Sequence, residues 1–380
     1  QMCIRDSVCA LGCSSREAIW CSQDLDPARG SVLRTGSICS RIVLQSTKKR
    51  GFKSDRRDTK STQEVKKMFQ DVAAQLKKEL HKAIVGYDTL LELLLVSFFS
   101  SGHVLLEGVP GTAKTLMVKA LSMVLNLEFS RIQFTPDLMP SDIVGTNVFD
   151  LDTRKFHLRK GPVFTNLLLA DEINRAPPKT QAALLEAMEE RQVTIDGVSY
   201  LLDDFMVCAT QNPVEYEGTY PLPEAQLDRF MMKLIVPYPD IEEENEILAL
   251  YQSGFDAHNL TQVNFSYSLS RDELRKIREE IFTITVKEDV VEYITSIVRA
   301  TRESPHLVLG ASPRASVILL LTSKSFAAIR GEAFVTPDVV KAMALPALRH
   351  RVILKPEAEI EGMTADAVIQ ECLEKVEVPR

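Results

Sequence analysis

Long hydrophobic runs, and cysteines outside the N-terminal segment, are what this sequence most clearly lacks. The longest apolar run, residues 90–99, carries Glu92, and it is far shorter than the roughly 20 apolar residues of a transmembrane helix. Beyond residue 62 the only cysteines are Cys208 and Cys372, with no C-x-x-C pair and no Cys/His group at zinc spacing. We therefore expect no membrane span and no structural zinc site. The scarcity of cysteine also favours a reducing, cytoplasmic location.

Positive charge is scarce outside the N-terminal segment. Residues 1–62 hold 12 Lys and Arg against 6 Asp and Glu, which leaves 33 against 46 in the remainder, a net charge of −13. Nucleic-acid-binding surfaces need clustered Lys and Arg. The acidic body therefore argues against nucleic acid as a partner, and against a DNA translocase.

Residues 1–62 show no sustained hydrophobic period, and we predict a disordered or non-native N-terminal segment. The apolar stretch at 8–11 is too short to be the core of a secretory signal. The opening Gln-Met-Cys-Ile-Arg-Asp-Ser resembles a translated sequencing-adapter end. We infer that natural protein begins near Met68 or somewhat upstream. A genuine disordered tail is the alternative.

The strongest motif is Gly-Val-Pro-Gly-Thr-Ala-Lys-Thr at 108–115, which follows an apolar run and precedes a helical pattern. A strand, a glycine loop and a helix in this order place backbone N–H groups around a phosphate chain. We predict that Lys114 contacts the β/γ-phosphates and that Thr115 holds Mg²⁺. Ala113 stands where the usual spacing has glycine. The residues predicted to bind the nucleotide here are Gly108, Val109, Pro110, Gly111, Thr112, Ala113, Lys114, Thr115 and Leu116.

A second apolar run, residues 166–170, ends in Asp171 and Glu172. Such a run is typical of a buried parallel strand, and open α/β sheets bind ligands at the carboxyl ends of their strands. We predict that Asp171 holds Mg²⁺, directly or through water, and that Glu172 polarises the attacking water. The alternative is a pair of solvated strand-end acids, which the upstream phosphate loop disfavours.

Two further polar residues follow apolar runs. Asn212 comes after the run at 205–210; it could orient water against the γ-phosphate or only shape the following turn. Arg229 could reach a neighbouring subunit's nucleotide as an arginine finger, or pair locally with Asp228 or Glu224. The residue pattern by itself leaves these alternatives open.

The remaining pattern divides the chain. We predict a helix leading in from residue 63, short strands or a hairpin within 149–163, and a hairpin at 192–202 around an Asp-Gly pair. After a boundary near 237–240 the pattern is helical, with one more short helix expected in the tail after 351. The predicted helices span 241–251, 270–282, 287–302, 313–330 and 336–348.

The predicted domains are therefore a core at 63–238 and a smaller, all-helical domain at 239–380. Arg314 opens one of the helices of the second domain. It could reach back to the nucleotide, or be a surface arginine in a first turn, where the helix macrodipole slightly disfavours it.

Five motifs together resemble the MoxR family of AAA+ ATPases. They are the phosphate loop, Leu-Ala-Asp-Glu-Ile-Asn-Arg-Ala-Pro-Pro-Lys-Thr-Gln from 169, Ala-Thr-Gln-Asn-Pro from 209, Glu-Ala-Gln-Leu-Asp-Arg-Phe from 224, and Ser-Pro-Arg-Ala from 312. The resemblance covers about residue 65 to the C-terminus. It implies an α/β fold, with a P-loop NTPase (AAA+) core containing a parallel five-stranded sheet in an αβα arrangement, followed by a small all-helical lid domain.

The resemblance also implies residue roles. The implied assignments are Walker A for Lys114 and Thr115, Walker B for Asp171 and Glu172, sensor 1 for Asn212, arginine finger for Arg229 and sensor 2 for Arg314. Ala113 is the family's usual residue at its position. The hairpin at 192–202 resembles the inserted hairpin before sensor 1, and residues 147–163 resemble the insertion in the second helix. Tyr87 replaces the family's more usual Gln, which leaves the adenine contacts open.

The resemblance further implies ATP and Mg²⁺ as ligands and hydrolysis of ATP to ADP and phosphate. It implies a homo-oligomeric ring of six subunits, in which Arg229 completes a neighbour's site. Family members act as chaperone-like remodellers, often with a von Willebrand factor A domain partner. The alternatives are a magnesium-chelatase-like motor subunit and a nucleotide-gated scaffold with little turnover. No residue pattern identifies the target.

Overall fold

The computed structural model describes residues 69–213 and 218–379, so the predictions for residues 1–62 lie outside the described residues. In chain order the elements up to residue 211 are α1 (residues 69–80), α2 (Asp88–Phe99), β1 (Val104–Glu107), α3 (Lys114–Val124), β2 (Phe129–Gln133), α4 (Pro140–Val144), β3 (Gly145–Asp150), β4 (Lys155–Lys160), β5 (Leu167–Asp171), α5 (Pro178–Glu190), β6 (Gln192–Ile195), β7 (Val198–Leu201) and β8 (Met206–Gln211).

The described elements after residue 218 include one further strand of the main sheet and most of the helices. They are α6 (Glu224–Leu227), β9 (Met232–Ile235), α7 (Ile241–Gln252), α8 (Arg271–Thr283), α9 (Glu288–Glu303), β10 (Leu307–Leu309), α10 (Pro313–Ile329), α11 (Pro337–Leu348), β11 (Ile353–Leu354), α12 (Pro356–Ile360) and α13 (Ala365–Lys375). Within the described ranges, no helix combines the length and the apolar character that crossing a membrane requires.

Five strands form one parallel sheet in the order β2-β5-β8-β1-β9. Parallel neighbours need crossover connections, and helix α3 lies in the crossover between β1 and β2, while α5 lies between β5 and β8. The sheet therefore places the carboxyl ends of β5, β8 and β1 side by side, which is where open α/β sheets bind ligands. The predicted five-stranded parallel core is confirmed.

Side chains of successive strand residues separate onto the two faces of the sheet. On β5, Leu167 and Leu169 belong to one buried cluster, with helices α2 and α3, while Leu168 and Ala170 belong to the other, with α5. This alternation follows from the two-residue period of a strand. Because both faces are covered, the strand reads as an uninterrupted apolar run.

Strand β9 is part of the sheet that the sequence pattern did not predict. It pairs in parallel with β1, with Val104 opposite Met232. Four residues, Met-Lys-Leu-Ile, are too few to show a period of their own. The pairing with β1 makes this segment a strand, and it brings residues 228–231 to the amino end of β9, beside the C-terminal helices.

The hairpin predicted at 192–202 is confirmed, and the short strands or hairpin expected within 149–163 form a hairpin that begins earlier, at Gly145. Strands β3 and β4 pair over residues 145–160, and β6 pairs with β7. Asp196 and Gly197 join the second pair with φ angles of 49° and 82°. Positive φ at both central residues is what the tight turns of two-residue hairpins require, and Asp-Gly adopts it readily.

The C-terminal part is helical, with two differences from the prediction. A short antiparallel pairing joins β10 to β11, with Leu307 opposite Leu354. The expectation of one short helix in the tail was wrong, because the tail forms both α12 and α13. Gly362 takes φ +79° between them, and the Thr364 hydroxyl caps α13 by accepting a hydrogen bond from the Ala367 N–H.

The C-terminal helices attach to the sheet domain through helix α2. The Ser100 and Ser325 hydroxyl oxygens, just after α2 and on α10, lie 2.7 Å apart. On α8, Arg278 forms an ion pair with Asp204 and its guanidinium lies 5.5 Å from the centre of the Phe98 ring. The helical domain and the sheet domain are thus joined by polar as well as apolar contacts.

Candidate functional site

The loop between β1 and α3 has the strained backbone typical of a phosphate-binding loop. Gly111 takes φ +86° and Ala113 takes φ +57°, so the chain turns sharply just before the first helical residue, Lys114. The first N–H groups of a helix have no partner within the helix, and they carry partial positive charge. The turn therefore exposes these donors toward the carboxyl edge of the sheet.

Lys114 lies inside this loop. Its ammonium donates to the carbonyl oxygens of Gly108 and Val109 at 2.9 and 2.6 Å, and to the Thr112 hydroxyl at 3.3 Å. Burial lowers the pKa of Lys114, and the Asp171 and Glu172 carboxylates partly offset this. The ammonium thus faces both acids, in a position from which it can exchange loop carbonyls for phosphate oxygens.

Gly108 is required at the start of the loop by close packing. A Cβ atom at this position would lie 2.6 Å from the carbonyl oxygen of Val236, just after β9. No real Cβ atom approaches a backbone oxygen so closely. The pairing of β9 with β1 therefore fixes the glycine at the first position of the motif.

Asp171 and Glu172 stand at the end of β5, and a single hydroxyl organises both. Thr210 on β8 donates to Asp171 Oδ1 at 2.6 Å and accepts a hydrogen bond from the Glu172 N–H at 2.8 Å. Glu172 itself takes φ +56°, a conformation that is uncommon for residues other than glycine. The left-handed backbone at Glu172 takes the chain out of the extended line of β5 directly after Asp171.

Two residues of the edge strand β2 contact the acids. Arg131 donates to Asp171 Oδ2 from Nη2 at 2.6 Å and from Nε at 3.1 Å. Gln133 donates from its amide to Glu172 Oε2 at 2.9 Å. Arg175 also pairs with Glu172, at 3.2 Å. Each acid is therefore held by a side chain that sequence reasoning missed, because β2 gave no motif of its own.

A cavity of about 590 Å³ lies above these groups. It brings together the loop, both acids and Asn212, which is 7% exposed at the end of β8. The lining residues are Pro110, Gly111, Thr112, Ala113, Lys114, Thr115, Leu116, Lys119, Phe129, Arg131, Asp171, Glu172, Thr210, Gln211, Asn212, Tyr251, Ala257 and His258. Of the residues predicted for this loop, Gly108 and Val109 do not line the cavity but accept hydrogen bonds from Lys114.

One wall of the cavity comes from the last turn of α7 and the segment that follows it. Tyr251, Ala257 and His258 lie there, and the Lys119 ammonium on α3 donates to the His258 carbonyl oxygen at 2.9 Å. No sequence motif marked these residues. Their place in the site follows from the path of the chain over α3, which only tertiary structure determines.

Tyr87 does not line this cavity. It lies beside a second cavity, of about 650 Å³, together with Leu90, Pro237 and Leu345. Its hydroxyl donates to the Pro237 carbonyl oxygen at 3.1 Å. The question of base contacts at Tyr87, open from the sequence, therefore concerns a separate pocket next to β9.

Arg229 and Arg314 lie outside the phosphate-loop cavity. Both side chains contact helix α5. Arg229 donates to the Leu185 carbonyl oxygen at 2.6 Å. Arg314 forms a two-pronged ion pair with Glu189, at 3.2 and 3.0 Å. Residues 185 and 189 are one helical turn apart, so the two guanidinium groups occupy the same side of α5. The structure does not bring Arg314 to the loop of its own chain, as a direct nucleotide contact would require.

The donor set suits a magnesium ion that is bound together with a nucleotide. In the described ranges no group of three or more His, Cys, Asp and Glu side chains could hold a metal. Thr115 and Asp171 both line the cavity and carry side-chain oxygens, and Mg²⁺ is usually held by one or two protein oxygens together with substrate phosphates and water. These residues therefore fit Mg²⁺ as a companion of bound phosphates.

Comparisons with known proteins agree with this geometry. A family model described as "ATPase family associated with various cellular activities (AAA)" matches residues 103–232, and an AAA lid domain model matches residues 299–372. The first match contains the phosphate loop, both acids, Asn212 and Arg229, and the second contains Arg314.

Similar proteins cover most of the chain. Chaperone MoxR1 of Mycobacterium tuberculosis is 44% identical over 312 residues, which cover 80% of this chain and 81% of that protein. The uncharacterized protein YeaC of Bacillus subtilis is also 44% identical, over 80% of this chain and 93% of its own length. A 2.00 Å crystal structure of a protein from Cytophaga hutchinsonii, assigned as an ATPase, matches with a TM-score of 0.77 and 41% identity over 85% of this chain and 99% of that one. The protein therefore belongs to the MoxR family of AAA+ ATPases.

Proposed function

We propose that this protein hydrolyses ATP to ADP and phosphate with Mg²⁺, as a ring-forming motor in which neighbouring subunits share each active site. One observation carries the proposal. The cavity is lined by the phosphate loop, the two strand-end acids and Asn212. Arg229 and Arg314 are not in its lining, and their side chains contact α5 instead. A complete site of this kind needs cations that the chain holds elsewhere.

The binding half of the site lies within one chain. The N–H groups at the start of α3 and the Lys114 ammonium hold the β- and γ-phosphates. Thr115 and Asp171 hold Mg²⁺, which supplies charge neutralisation on the phosphate oxygens. Lys114 gives up its bonds to the loop carbonyls, and Asp171 gives up Arg131, when these ligands arrive.

The hydrolytic half begins with Glu172. Its carboxylate orients and polarises the attacking water, and Asn212, buried at the neighbouring strand end, fixes the position of that water. Glu172 is bonded to Gln133 and Arg175. It must leave at least one of these partners before it can act on water, which links hydrolysis to a change at β2 or at the 3₁₀ turn after β5.

The second chain supplies positive charge. Of the cations that line the cavity, Lys114 is already assigned to the β- and γ-phosphates, Lys119 bonds a carbonyl oxygen after α7, and Arg131 lies on the edge strand beside Asp171. Phosphoryl transfer spreads negative charge over the equatorial oxygens, and an arginine from a neighbour stabilises it. Arg229 is the arginine finger in this proposal. Arg314 also acts on the neighbour's nucleotide, because it shares a helix surface with Arg229.

The proposed biological role is chaperone-like remodelling of a partner complex, in a homo-oligomeric ring of six subunits. Relatives support the first part, since one is described as a chaperone. A von Willebrand factor A domain protein is the proposed partner, and a cytoplasmic location is proposed with it. Residues 63–238 form the ATPase core of this motor, and residues 239–380 form the lid that couples nucleotide state to movement.

A mixing experiment tests the shared site. Lys114→Ala removes nucleotide binding but keeps the finger, while Arg229→Ala keeps binding and removes the finger. Each variant alone should have almost no steady-state ATPase activity, since a finger contributes about 10³–10⁵ in rate. An equimolar mixture should regain activity, because some interfaces then pair an intact loop with an intact Arg229. If the mixture stays inactive, the finger does not act across subunits.

Two controls separate the alternatives. Glu172→Gln should bind ATP and retain it, and sedimentation of this variant with ATP measures the size of the ring. If the unmodified protein binds ATP but shows no turnover, with or without a partner, the nucleotide-gated scaffold is the correct function. Normal hydrolysis by Glu172→Gln would place the general base elsewhere.

A further inference from the structure

A buried arginine of the helical domain grips the backbone on both sides of Arg229. Arg351 follows helix α11, and its side chain is 1% exposed. Its Nε donates to Asp228 Oδ1 at 2.7 Å, and Nη2 donates to the Asp228 carbonyl oxygen at 3.0 Å. The same guanidinium also donates to the carbonyl oxygens of Phe230 and Met231. One planar group therefore holds residues 228, 230 and 231, which flank Arg229.

A second contact ties the same aspartate to the start of α10. The Ser312 hydroxyl, at the N-cap of that helix, lies 3.4 Å from Asp228 Oδ2. Arg314 is the second residue of α10 and reaches Glu189 from there. Asp228 thus bonds Arg351 through one oxygen and Ser312 through the other, and the segments that carry Arg229 and Arg314 share it.

The electrostatics of this cluster fit a permanent contact. Burial, together with the nearby Arg314 cation, lowers the pKa of Arg351 to about 10, although Asp228 acts to raise it. Arg351 therefore stays charged at neutral pH. A buried guanidinium is stable only when its fork is filled by acceptors, and here one carboxylate and several carbonyl oxygens fill it.

We propose that Arg351, through Asp228, is a positioning residue that makes Arg229 and Arg314 move as one unit with the helical domain. This inference rests on the proposed function of Arg229 at a neighbour's site. Because Arg351 bonds the main chain on either side of Arg229, a movement of the helical domain carries the finger with it. The nucleotide state of one subunit, sensed by its helical domain, then decides whether the next subunit's ATP receives its arginines.

The primary variant is Arg351→Gln, with Arg351→Lys and Asp228→Asn beside it. Lysine keeps the buried charge but cannot bridge a carboxylate and several carbonyls at once, and asparagine keeps the shape of the aspartate. These two carry the test if the glutamine variant fails to fold, as judged by circular dichroism. Arg278→Gln is the matched control, because Arg278 is another arginine of the helical domain that pairs with a core aspartate, Asp204.

The expected result is a split between binding and turnover. Arg351→Gln should lower kcat by about 10²-fold, as a finger displaced by about 1 Å would. Its Kd for a fluorescent ATP analogue should change by less than about threefold, because Arg351 does not line the cavity that is proposed to bind the phosphates. The control Arg278→Gln should keep kcat. A loss of binding equal to the loss of kcat would overturn the proposal.

Mixing with Lys114→Ala gives the decisive readout. Lys114→Ala subunits present an intact finger, so they should restore hydrolysis at the loops of Arg351→Gln subunits. If Lys114→Ala regains ATPase activity when mixed with Arg229→Ala but not when mixed with Arg351→Gln, the positioning role is rejected and the shared site stands. Failure of both mixtures would reject the shared site itself. Restored ATPase activity in both mixtures supports the positioning role of Arg351, because a neighbouring subunit cannot repair a general loss of folding.

Discussion

Arg131 neutralises Asp171 from the neighbouring edge strand, with Nη2 of the arginine 2.6 Å from Oδ2 of the aspartate. The aspartate side chain is 13% exposed and the arginine side chain 48%. The carboxylate that is proposed to hold Mg²⁺ is therefore paired with a protein cation that can withdraw toward solvent. In the proposed mechanism, Arg131 stabilises the site until Mg²⁺ and nucleotide replace it.

The first prediction concerns this pair. Arg131→Gln should lower the free energy of unfolding by about 1 kcal/mol without nucleotide, because Asp171 loses a charged donor and the exposure of Arg131 limits the cost. Mg²⁺ with ATP should stabilise the variant more than the unmodified protein, since the ion then replaces the missing charge. Urea unfolding with and without Mg·ATP measures both effects. Arg159→Gln, on the exposed strand β4, is the control, and equal stabilisation of all three proteins would contradict the pairing.

The second prediction concerns Thr210, which is 1% exposed and bonds both acids. Thr210→Val keeps the shape of the side chain but removes the hydroxyl, so it should cost about 2 kcal/mol of stability and lower kcat. Thr210→Ser keeps the hydroxyl and loses only a methyl group, worth about 1 kcal/mol. Urea midpoints and steady-state ATPase rates measure the difference. If the serine variant loses as much kcat as the valine variant, the hydroxyl is not what orders the acids.

The third prediction concerns Ala113, which takes φ +57° before the first helical residue. The left-handed conformation costs a non-glycine residue about 1–2 kcal/mol. Ala113→Gly should therefore preserve or slightly raise stability, because relief of this strain is offset by the larger entropy of the unfolded chain. Ala113→Val should lower the melting temperature and weaken ATP binding, since a β-branched residue fits this conformation poorly. A valine variant as stable as the alanine form would show that the loop adopts another backbone.

The fourth prediction is a pH dependence of stability. Burial lowers the pKa of His103 from 6.5 to about 4, so between these values the unfolded chain binds a proton that the folded chain does not. The contribution of His103 to the free energy of unfolding is complete above pH 6.5, declines as the pH falls and is lost below about pH 4. The total change is about 3 kcal/mol. His350 is also buried with a lowered pKa and acts in the same direction.

His103→Gln tests this assignment. The neutral imidazole contacts the Met188 carbonyl oxygen through Nε2 and accepts the Val207 N–H through Nδ1. A glutamine amide offers both a donor and an acceptor but does not titrate. In the variant, the slope of the free energy of unfolding against pH should be smaller by about 1.4 kcal/mol per pH unit across this window. Urea unfolding at several pH values measures the slope, and an unchanged slope would exclude His103 as its source.

Local patterns predicted much of the fold and of the candidate site. The phosphate loop, the acids at 171–172 and the two hairpins were predicted because each depends on neighbours within about ten residues. Apolar runs that end in polar residues indicated individual buried strands, and the confirmed five-stranded parallel sheet was implied by the family resemblance. Strand β9 was missed because it becomes a strand only by pairing with β1. The two tail helices were read as one because Gly362 was not recognised as a helix end.

Arg131, Thr210 and Tyr251 could not be found from the sequence. Each lies far along the chain from the loop or the acids of the site, and only Thr210 stands in a recognised motif, Ala-Thr-Gln-Asn-Pro from 209, which gave it no role of its own. Arg314 shows the converse. Its motif was recognised. Its contact with α5, beside that of Arg229, depends on how the C-terminal helices pack against α2. The residues of a motif can therefore be predicted separately from the site to which they contribute.

By itself, the sequence determined the chemistry of this protein: a lysine and a threonine at the start of a helix, two acids at the end of a buried strand, and a family membership that the comparisons confirm. These features are set by short-range backbone conformation and by hydrophobic period. Only the tertiary structure decided which of these groups meet. It placed the loop, the acids and Asn212 in one cavity and kept Arg229 and Arg314 outside it. The physical reason is that the sheet order and the packing of the helical domain bring distant segments together. That packing buries apolar surface and satisfies the hydrogen bonds of the buried Arg351.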